Sequence, residues 1–509
     1  MQKKIVFMLL CILLTHGMVK AQVKNAEGGE QYRPQIHFTP RAHWMNDPNG
    51  MVFYKGVYHL FFQYYPDASV WGPMHWAHAT SKDLLHWVEQ PIALYPDSLG
   101  LIFSGSAVVD KNNTTGFSKN GKVPLVAIFT HHSMEGEKAK RTDFQNQSIA
   151  YSLDDGNTWT KYAGNPVLRN PGIVDFRDPK VMWYEAQKKW VMTLATKDRI
   201  TFYSSPNLKD WTKETEFGET LGAHGGVWEC PDLFPLDDNG KKVWVLTVSI
   251  NPGGPNKGSA TQYFLGDFDG HTFTPNSAET KWIDYGTDNY AGVTWSNTGN
   301  RKIFLGWMSN WQYATVVPTT NWRSAMTLPR ELQLKHVGDN LIIASQPVSE
   351  LSGIQSKSIV LENLKFADSL DLSKKAGKIK FPCRLNLKMD NANDLSFSFS
   401  NDLGEVLLVG YDKKSNQYFI DRSKSGKSDF EKGFAARHTA PRFTSKSNMN
   451  ISLVIDVSSV ELFADDGLTT MTEIFFPTKP YKKILLQREG KAIIKKLEYI
   501  KLKSTLPKR

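Results

Sequence analysis

The amino-acid sequence predicts an all-β protein in two domains, a five-bladed β-propeller followed by a C-terminal β-sandwich. Three observations lead to this prediction. Aromatic residues, which favour strands, make up 12% of the 509-residue chain. Short apolar runs alternate with polar turns along most of the sequence. No long helical periodicity interrupts the region before residue 345, and a chain of this length can build more than one hydrophobic core.

The first 21 residues have the composition of a secretory signal peptide. Lys3 and Lys4 precede ten apolar residues, Ile5–Leu14, and Ala21 offers a small residue at the cleavage site. The apolar stretch is too short to cross a bilayer. We therefore expect residues 1–21 to be removed and the protein to be exported, into a periplasm or into the medium.

A repeated turn predicts the blades of the propeller between residues 33 and 345. The turn is polar and closes on an aromatic residue, and it ends in turn at Trp87, Trp159, Trp211 and Phe273. The intervals between these aromatics are 72, 52 and 62 residues, which suit propeller blades. At about 60 residues per unit, this region holds about five blades.

Three acidic residues stand at the start of predicted strands. They occur in Asn46-Asp47-Pro48, Arg177-Asp178-Pro179 and Glu229-Cys230-Pro231, and an apolar run follows each motif. The first strand of every propeller blade lines the central channel. We therefore expect these acids to occupy matching positions of the repeat and to converge in one funnel.

The repeat ends near residue 345, and short alternating runs follow. Ile451–Ile455 and Val460–Phe463 are examples, with turn residues between the runs. Residues 351–504 are therefore predicted to form the β-sandwich.

Charge and composition exclude several classes of function. The net charge is +10, but it is scattered, and the lysine-rich patch near the C-terminus has neither interleaved aromatics nor a nucleic-acid motif. We expect no nucleic-acid partner and no membrane insertion. The histidine pairs His131-His132 and His75/His78 lack ligands at metal-binding intervals, so no metal site is predicted. Pairing of Cys230 with Cys383 and the oligomeric state stay open.

Three carboxylates in one funnel suit glycoside hydrolysis. Close acids repel, so their pKa values separate, and one can act as nucleophile while another donates a proton. Arg177 is expected to keep Asp178 ionised, and Trp228 to give Glu229 the apolar surroundings of a proton donor. Any one of these motifs alone would be an ordinary turn.

Together the motifs resemble the β-fructosidases of glycoside hydrolase family 32, which include invertases, levanases and inulinases. The resemblance rests on Trp44-Met45-Asn46-Asp47-Pro48-Asn49-Gly50, Arg177-Asp178-Pro179 and Glu229-Cys230-Pro231. It extends to Phe103-Ser104-Gly105-Ser106, to Gly306-Trp307-Met308-Ser309-Asn310-Trp311 and, in the predicted sandwich, to Glu461-Leu462-Phe463-Ala464-Asp465-Asp466-Gly467.

The resemblance implies a role for each residue of the site. Asp47 would be the nucleophile, Glu229 the acid/base, and Asp178 the stabiliser of the transition state, in a retaining mechanism without cofactor or metal. The substrate would be a fructan or sucrose. The residues expected to bind its fructose unit are Trp44, Asn46, Gln63, Trp71, Phe103, Ser104, Arg177 and Trp311.

Other functions compete with this interpretation. The turn Ser152–Trp159 is typical of sialidases, but the early arginine motif of that class is missing. A non-catalytic sugar-binding propeller, a fructosyltransferase and an endo-acting levanase or inulinase are further alternatives. The complete set of fructose-binding positions and the long rim loops favour release of single terminal fructose units. The preference between levan and inulin stays open.

Overall fold

The computed structural model describes residues 30–366, 368–377, 379–488 and 494–507, and within them the chain is almost entirely β-structure. Five sheets lie between His43 and Pro347, and two six-stranded sheets follow between Gln355 and Leu502. The predicted fold class, a five-bladed propeller followed by a sandwich, is thus confirmed. The predicted signal peptide lies outside the described residues.

The strands of the propeller run in chain order from the axis outwards in each blade. The first blade contains β1 (His43–Tyr54), β2 (Val57–Tyr65), β3 (His75–Ser81) and β4 (Val88–Leu94). The second contains β5 (Leu101–Val109), β6 (Leu125–His132), helix α1 (Met134–Lys138), β7 (Gln145–Ser152) and β8 (Thr160–Lys161). The third contains β9 (Phe176–Tyr184), a 3₁₀ turn (Glu185–Gln187), β10 (Lys189–Thr196), β11 (Arg199–Ser205) and β12 (Thr212–Phe217).

The last two blades carry additional short strands. The fourth contains β13 (Val227–Asp238), β14 (Lys241–Asn251), β15 (Ala260–Phe268), β16 (Phe273–Pro275) and β17 (Lys281–Trp282). The fifth segment contains β18 (Tyr290–Thr294), β19 (Ile303–Met308), β20 (Trp322–Arg323), β21 (Ala325–Met326), β22 (Arg330–Val337) and β23 (Asn340–Pro347). Strand β20 leaves its own blade and pairs in parallel with β1, which links the last blade to the first.

The sandwich follows a 3₁₀ segment at Ser349–Ile354. One sheet contains β24 (Gln355–Leu364), β26 (Cys383–Met389), β31 (Met449–Ile455), β32 (Ser459–Ala464), β33 (Thr469–Ile474) and β35 (Ile494–Leu502). The other contains β25 (Ser369–Asp371), β27 (Leu395–Ser400), β28 (Val406–Asp412), β29 (Gln417–Lys424), β30 (Arg437–Pro441) and β34 (Lys483–Arg488). Helix α2 (Leu372–Ala376) follows β25, and a 3₁₀ turn (Asp465–Gly467) joins β32 to β33.

The repeated turn lies between the third and fourth strands of the blades, as its spacing predicts. In three blades the closing tryptophan donates its indole N–H to the carbonyl three residues earlier: Trp87 to Leu84 (3.0 Å), Trp159 to Gly156 (3.1 Å) and Trp211 to Leu208 (3.1 Å). The aromatic therefore locks its own turn. Ser152–Trp159, the sialidase-like box, is one of these structural turns.

Hydrophobic packing fills the spaces between blades and between the sandwich sheets. The third and fourth blades, for example, enclose Phe202, Trp228, Leu246 and Phe264. The sandwich core draws on both of its sheets and includes Phe397, Leu453 and Leu462. Burial of apolar area on this scale is the main stabilising contribution to both domains.

Two buried arginines connect the propeller to the sandwich. Arg330 of β22 contacts Glu461 of β32, and its Nη1 lies 2.7 Å from Asp284. Arg422 of β29 lies 2.7 Å from Asp288 and 2.8 Å from Glu473. All of these side chains are at most 2% exposed. Each charge needs the others, because an unpaired buried charge is strongly destabilising.

Candidate active site

The five first strands form a ring around the propeller axis. Strand β1 contacts β5, β5 contacts β9, β9 contacts β13, β13 contacts β18, and β18 contacts β1. At one common level, each of these strands has two residues opposite a single residue of the second strand of its own blade. Such a β-bulge bends the strand and redirects its side chains. The five bulged pairs are Asn46–Asp47, Phe103–Ser104, Asp178–Pro179, Cys230–Pro231 and Ala291–Gly292.

The bulges place the three acids at three different positions. Asp47 is the second residue of its bulge, Asp178 is the first, and Glu229 is the residue before its bulge. The expectation that the acids occupy matching positions is therefore wrong: Pro179 and Pro231 are the equivalents of Asp47. Asp178 adopts a left-handed φ of 64°, which is uncommon for a residue other than glycine. The three acids therefore reach the funnel from three consecutive positions of the inner strand, each in a different blade.

The acids line a cavity of about 290 Å³ at this end of the ring. At roughly 30 Å³ per water molecule, the volume equals about ten waters, which is enough room for one monosaccharide. Ten of the eleven residues predicted for the site line this cavity: Asn46, Asp47, Gln63, Trp71, Phe103, Ser104, Arg177, Asp178, Glu229 and Trp311.

The eleventh residue, Trp44, lies behind the cavity wall and has no exposed surface. Its indole N–H donates to Asn46 Oδ1 at 2.7 Å, and its ring stacks on Trp311 with centroids 5.9 Å apart. Trp44 thus positions two residues of the cavity and does not reach a ligand itself.

Asp47 is held by donors to both of its carboxylate oxygens. Asn46 Nδ2 donates to Oδ1 at 2.9 Å, and Ser104 Oγ donates to Oδ2 at 2.7 Å. Asn49 accepts from Gly105 N at 2.9 Å and donates to the Asp47 carbonyl at 2.6 Å, so it ties the two bulges together. The carboxylate is fixed in one orientation, as a nucleophile requires.

Asp178 has a buried carboxyl group with one strong donor. The Cys230 backbone N–H donates to Oδ2 at 3.0 Å, and the Asp178 N–H donates to Thr130 Oγ1 at 3.1 Å. The Cys230 thiol lies 3.6 Å from Asp178 Oδ2 and 3.7 Å from Asp47 Oδ2. The thiol therefore bridges two of the three acids. Burial raises its pKa well above the usual range, so it stays a neutral donor.

Glu229 lies between a guanidinium and a phenol. Arg177 donates to Oε1 from Nη2 at 3.0 Å and from Nε at 3.2 Å, and the Tyr290 hydroxyl donates to Oε2. Arg177 also contacts Asp175 and lies 4.0 Å from Asp178 Oδ2. One guanidinium thus compensates several carboxylates. Burial raises the Tyr290 pKa well above its usual range, so this phenol remains protonated.

Burial makes Asp47 and Asp178 hold protons more tightly than free aspartates do. The pKa of Asp178 rises to about 7 because of burial, opposed by Arg177 and reinforced by Glu229 and Asp47. The pKa of Asp47 also rises, because of burial and the nearby Glu229. The prediction that Arg177 keeps Asp178 ionised is therefore incomplete, because burial outweighs the effect of the arginine. A bound proton is shared among interacting carboxyls.

Sequence reasoning missed Tyr290 and misplaced Trp228. Tyr290 occupies the bulge-flanking position equivalent to Arg177 and Glu229, and only the strand register reveals this. The Trp228 side chain points away from the cavity, into the core between the third and fourth blades, where its indole N–H donates to the Ala223 carbonyl. Glu229 is surrounded by polar partners instead.

Three further expectations concern a metal site, a membrane span and a disulfide bond. No group of three or more acidic, histidine or cysteine side chains within the described part of the chain is arranged to hold a metal ion. No helix of the described residues is long and apolar enough to span a membrane. Cys230 and Cys383 are both buried and unpaired.

Comparisons with known proteins extend over both domains. The N-terminal domain of glycosyl hydrolases family 32 matches residues 37–345, and the C-terminal domain matches residues 349–501. Levanase from Bacillus subtilis (strain 168) is 48% identical over 490 residues, which cover 94% of this chain and 71% of that protein. The extracellular exo-inulinase inuE from Aspergillus ficuum is 42% identical over 486 residues, covering 88% of this chain and 90% of that protein.

Solved structures agree with the sequence comparisons. Exo-inulinase from Aspergillus awamori superposes with a TM-score of 0.85 at 38% identity, covering 93% of this chain and 99% of that one. Fructofuranosidase from Schwanniomyces occidentalis complexed with fructose gives a TM-score of 0.83 at 33% identity, covering 93% and 99% of the two chains.

Proposed function

Because the chain belongs to glycosyl hydrolase family 32, we propose that it is a retaining exo-β-fructosidase. It hydrolyses terminal non-reducing β-D-fructofuranosides of fructans such as levan and inulin, and also sucrose. The observation that carries this proposal is the cavity in which Asp47, Asp178 and Glu229 face one sugar-sized volume. Its relatives include a levanase and an exo-inulinase that match nearly the whole chain.

In the first step Asp47 attacks the anomeric carbon of the bound fructose. A covalent fructosyl-enzyme forms, the glycosidic C–O bond breaks, and Glu229 gives its proton to the departing oxygen. In the second step Glu229 takes a proton from water, the water oxygen attacks the same carbon, and Asp47 leaves as a carboxylate. Two inversions at one carbon retain its configuration.

Three groups support these steps from the cavity wall. Asn46 and Ser104 keep the Asp47 carboxylate oriented through the bonds described above. Asp178 holds the hydroxyls of the fructose unit and stabilises the positive charge that develops on the ring in the transition state. The Asp178 carboxyl ionises fully when substrate hydroxyls donate to it, since hydrogen bonds favour the charged form.

The shape of the cavity supports exo-action. Below the acids, three of the inner strands (β5, β13 and β18) form a layer with Ser106, Asp232 and Thr294, each at most 3% exposed. Thr294 donates to Asp232 from both its N–H (2.6 Å) and its hydroxyl (2.7 Å). This layer closes the floor, so the cavity of about 290 Å³ takes a single sugar unit from its mouth, as release of a terminal fructose requires.

The products formed early in the reaction test the proposal. On levan and on inulin, thin-layer chromatography at low conversion should show fructose alone, and sucrose should yield glucose and fructose. A ladder of oligosaccharides would contradict exo-action, and fructosyl transfer to sugar at moderate sucrose concentration would point to the transferase alternative. Asp47→Asn protein, carried through the same purification, is the control for contaminating activity.

We further propose that the protein is exported, as its N-terminal sequence suggests and as fits its extracellular relatives. The mature chain then begins at Gln22. N-terminal sequencing of protein recovered outside the cytoplasm tests this, and retention of residues 1–21 would contradict it.

A further inference from the structure

A second and larger cavity, of about 710 Å³, lies at the opposite end of the propeller ring. It is lined by the later halves of inner strands whose beginnings carry the acids, among them Lys180 of β9, Asp232 of β13 and Thr294 of β18. The floor layer of the active site separates the two cavities. The fructosidase mechanism uses no side chain of this second cavity.

The wall of this cavity carries an excess of positive charge. Five lysines line it, Lys111, Lys180, Lys188, Lys242 and Lys302, but only two carboxylates, Glu185 and Asp232. Both carboxylates are already paired: Glu185 contacts Lys188, and Asp232 lies 3.2 Å from Lys180. The other three lysines have no carboxylate within 4.0 Å among the described residues.

Lys302 is the lysine that most clearly indicates a missing anionic partner. Its ammonium group makes one long contact, 3.5 Å to the Gly299 carbonyl. Burial lowers its pKa, and the nearby Lys180 and Lys242 lower it further against the effect of Asp232. Like charges gathered in a partly desolvated site disfavour one another, and a bound anion would remove that cost.

The rest of the wall is aromatic. Trp183, Tyr184 and Trp244 line the cavity beside the lysines, and Lys242 Nζ lies 5.8 Å from the centroid of the Trp244 ring. Aromatic faces with a few convergent charged groups are typical of small-molecule sites of this volume. A neutral sugar would use the aromatic surface but would leave the lysines uncompensated.

We propose that this cavity is a second ligand site, which binds a phosphorylated sugar. Lys242 and Lys302 hold the phosphate as point charges, Lys180 stays paired with Asp232, and the aromatic wall packs against the sugar ring. The site is independent of fructan hydrolysis, so the two assignments can fail separately.

Isothermal titration calorimetry of the full-length protein tests this proposal, in a buffer free of phosphate and sulfate. A hexose 6-phosphate should bind saturably and more tightly than inorganic phosphate, and saturating fructose should not displace it. Binding should weaken as salt rises, because the contacts are ionic. The double variant Lys242→Gln/Lys302→Gln should weaken binding at least about tenfold, equivalent to about 1.4 kcal/mol, while its fructan hydrolysis stays unchanged.

The matched control is Lys482→Gln/Lys495→Gln, which removes two charges from the sandwich surface, where both side chains are 63% exposed. It should bind like the unaltered protein. Equal binding by the two double variants, displacement by fructose, or absence of saturable binding would each overturn the proposal. Binding of inorganic phosphate as tight as that of the hexose phosphate would overturn the role given to the aromatic wall. Lys242→Gln alone, at an exposed position, supplies a second variant that keeps the partly buried Lys302.

Discussion

At the scale of single residues, the partners of Glu229 explain how one carboxyl can serve both of the proposed catalytic steps. Arg177 and Tyr290 hold its two oxygens from opposite sides. Both groups donate hydrogen bonds, so they hold the carboxyl in one orientation during proton donation and during the later base step. The acid/base role proposed for Glu229 therefore depends on these hydrogen-bonded neighbours rather than on Trp228, the tryptophan that precedes it.

Replacing Tyr290 should show how much its hydrogen bond to Glu229 contributes to turnover. Tyr290→Phe removes one hydrogen bond to a carboxylate, which is worth about 1.5–3 kcal/mol, so kcat on sucrose should fall about ten- to a hundredfold. Tyr263→Phe is the control, because its buried hydroxyl accepts from the Ile343 N–H far from the site. Equal kcat values for the two variants would contradict a catalytic contact at Tyr290.

The acid role of Glu229 predicts a dependence on the leaving group. Glu229→Gln should lose most activity on sucrose, but it should retain a larger fraction on an activated aryl fructoside, whose departing oxygen needs little protonation. Comparing kcat for both substrates measures the effect. A loss of the same size on both would argue against Glu229 as the acid.

Asp178 illustrates the cost of building a site from buried acids. Its folded pKa, about 7, lies above the ordinary 3.8, so the folded protein binds a proton that the unfolded chain releases. Stability therefore falls as pH rises from about 4 to about 7. Asp178→Asn should abolish turnover yet raise the melting temperature at pH 8 by a few degrees, with little gain near pH 4. A melting temperature lowered at pH 8 would refute this.

At the scale of the elements, the bulge is the feature that builds the site. The repeated turn could be predicted because its chemistry is local: in three of its four copies a serine, an acid or amide and an aromatic stand within eight residues. The bulge could not, because it exists only relative to the paired strand. The motifs consequently identified the acids, whereas Tyr290 carries no motif and became visible only through its register.

The second blade offers a test of the bulge. Gly105 follows the Phe103–Ser104 bulge, and a Cβ added there would lie 2.0 Å from the Ile128 carbonyl oxygen of β6. Gly105→Ala should therefore push β5 away from β6, draw Ser104 from Asp47, and lower both stability and kcat. Gly353→Ala, where an added Cβ meets nothing within 4 Å, should leave both unchanged. Thermal unfolding and sucrose assays of the two variants measure these changes in stability and kcat.

At the scale of the whole molecule, buried charges join the sandwich to the propeller. The family motif at Glu461 predicted a strand, but not that its acid would receive Arg330 and His37, because partners more than a hundred residues apart leave no local signal. His37 lies between Asp456 (2.9 Å) and Glu461 (2.8 Å). These carboxylates raise its pKa to about 9 although burial opposes them.

This network predicts how stability depends on pH. The folded pKa of His37 lies above the ordinary 6.5, so its contribution is complete below pH 6.5 and is lost as pH rises through about 9. The melting temperature should fall over that interval, and less steeply in His37→Gln. A variant with the same slope as the unaltered protein would show that His37 is not the group responsible.

Removing the acid should be more damaging than removing any surface charge. Glu461→Gln leaves Arg330 and His37 without their shared carboxylate, at an expected cost of about 3–5 kcal/mol. Asp402→Asn breaks an exposed pair with Lys482 and should change stability by at most about 1 kcal/mol. Denaturant unfolding followed by tryptophan fluorescence compares the two.

The bulge shared by the five inner strands also bears on how such enzymes diversify. Each blade presents the same three adjacent positions to the funnel, and in this chain one blade carries a carboxylate at the last, one at the middle and one at the first. Duplication of an ancestral blade would thus multiply candidate catalytic positions without any new loop or insertion. Single substitutions could then assign, exchange or erase roles among the copies while the fold persists. Loss of one acid by such a substitution would remove the proposed activity and leave the strands and their bulges in place.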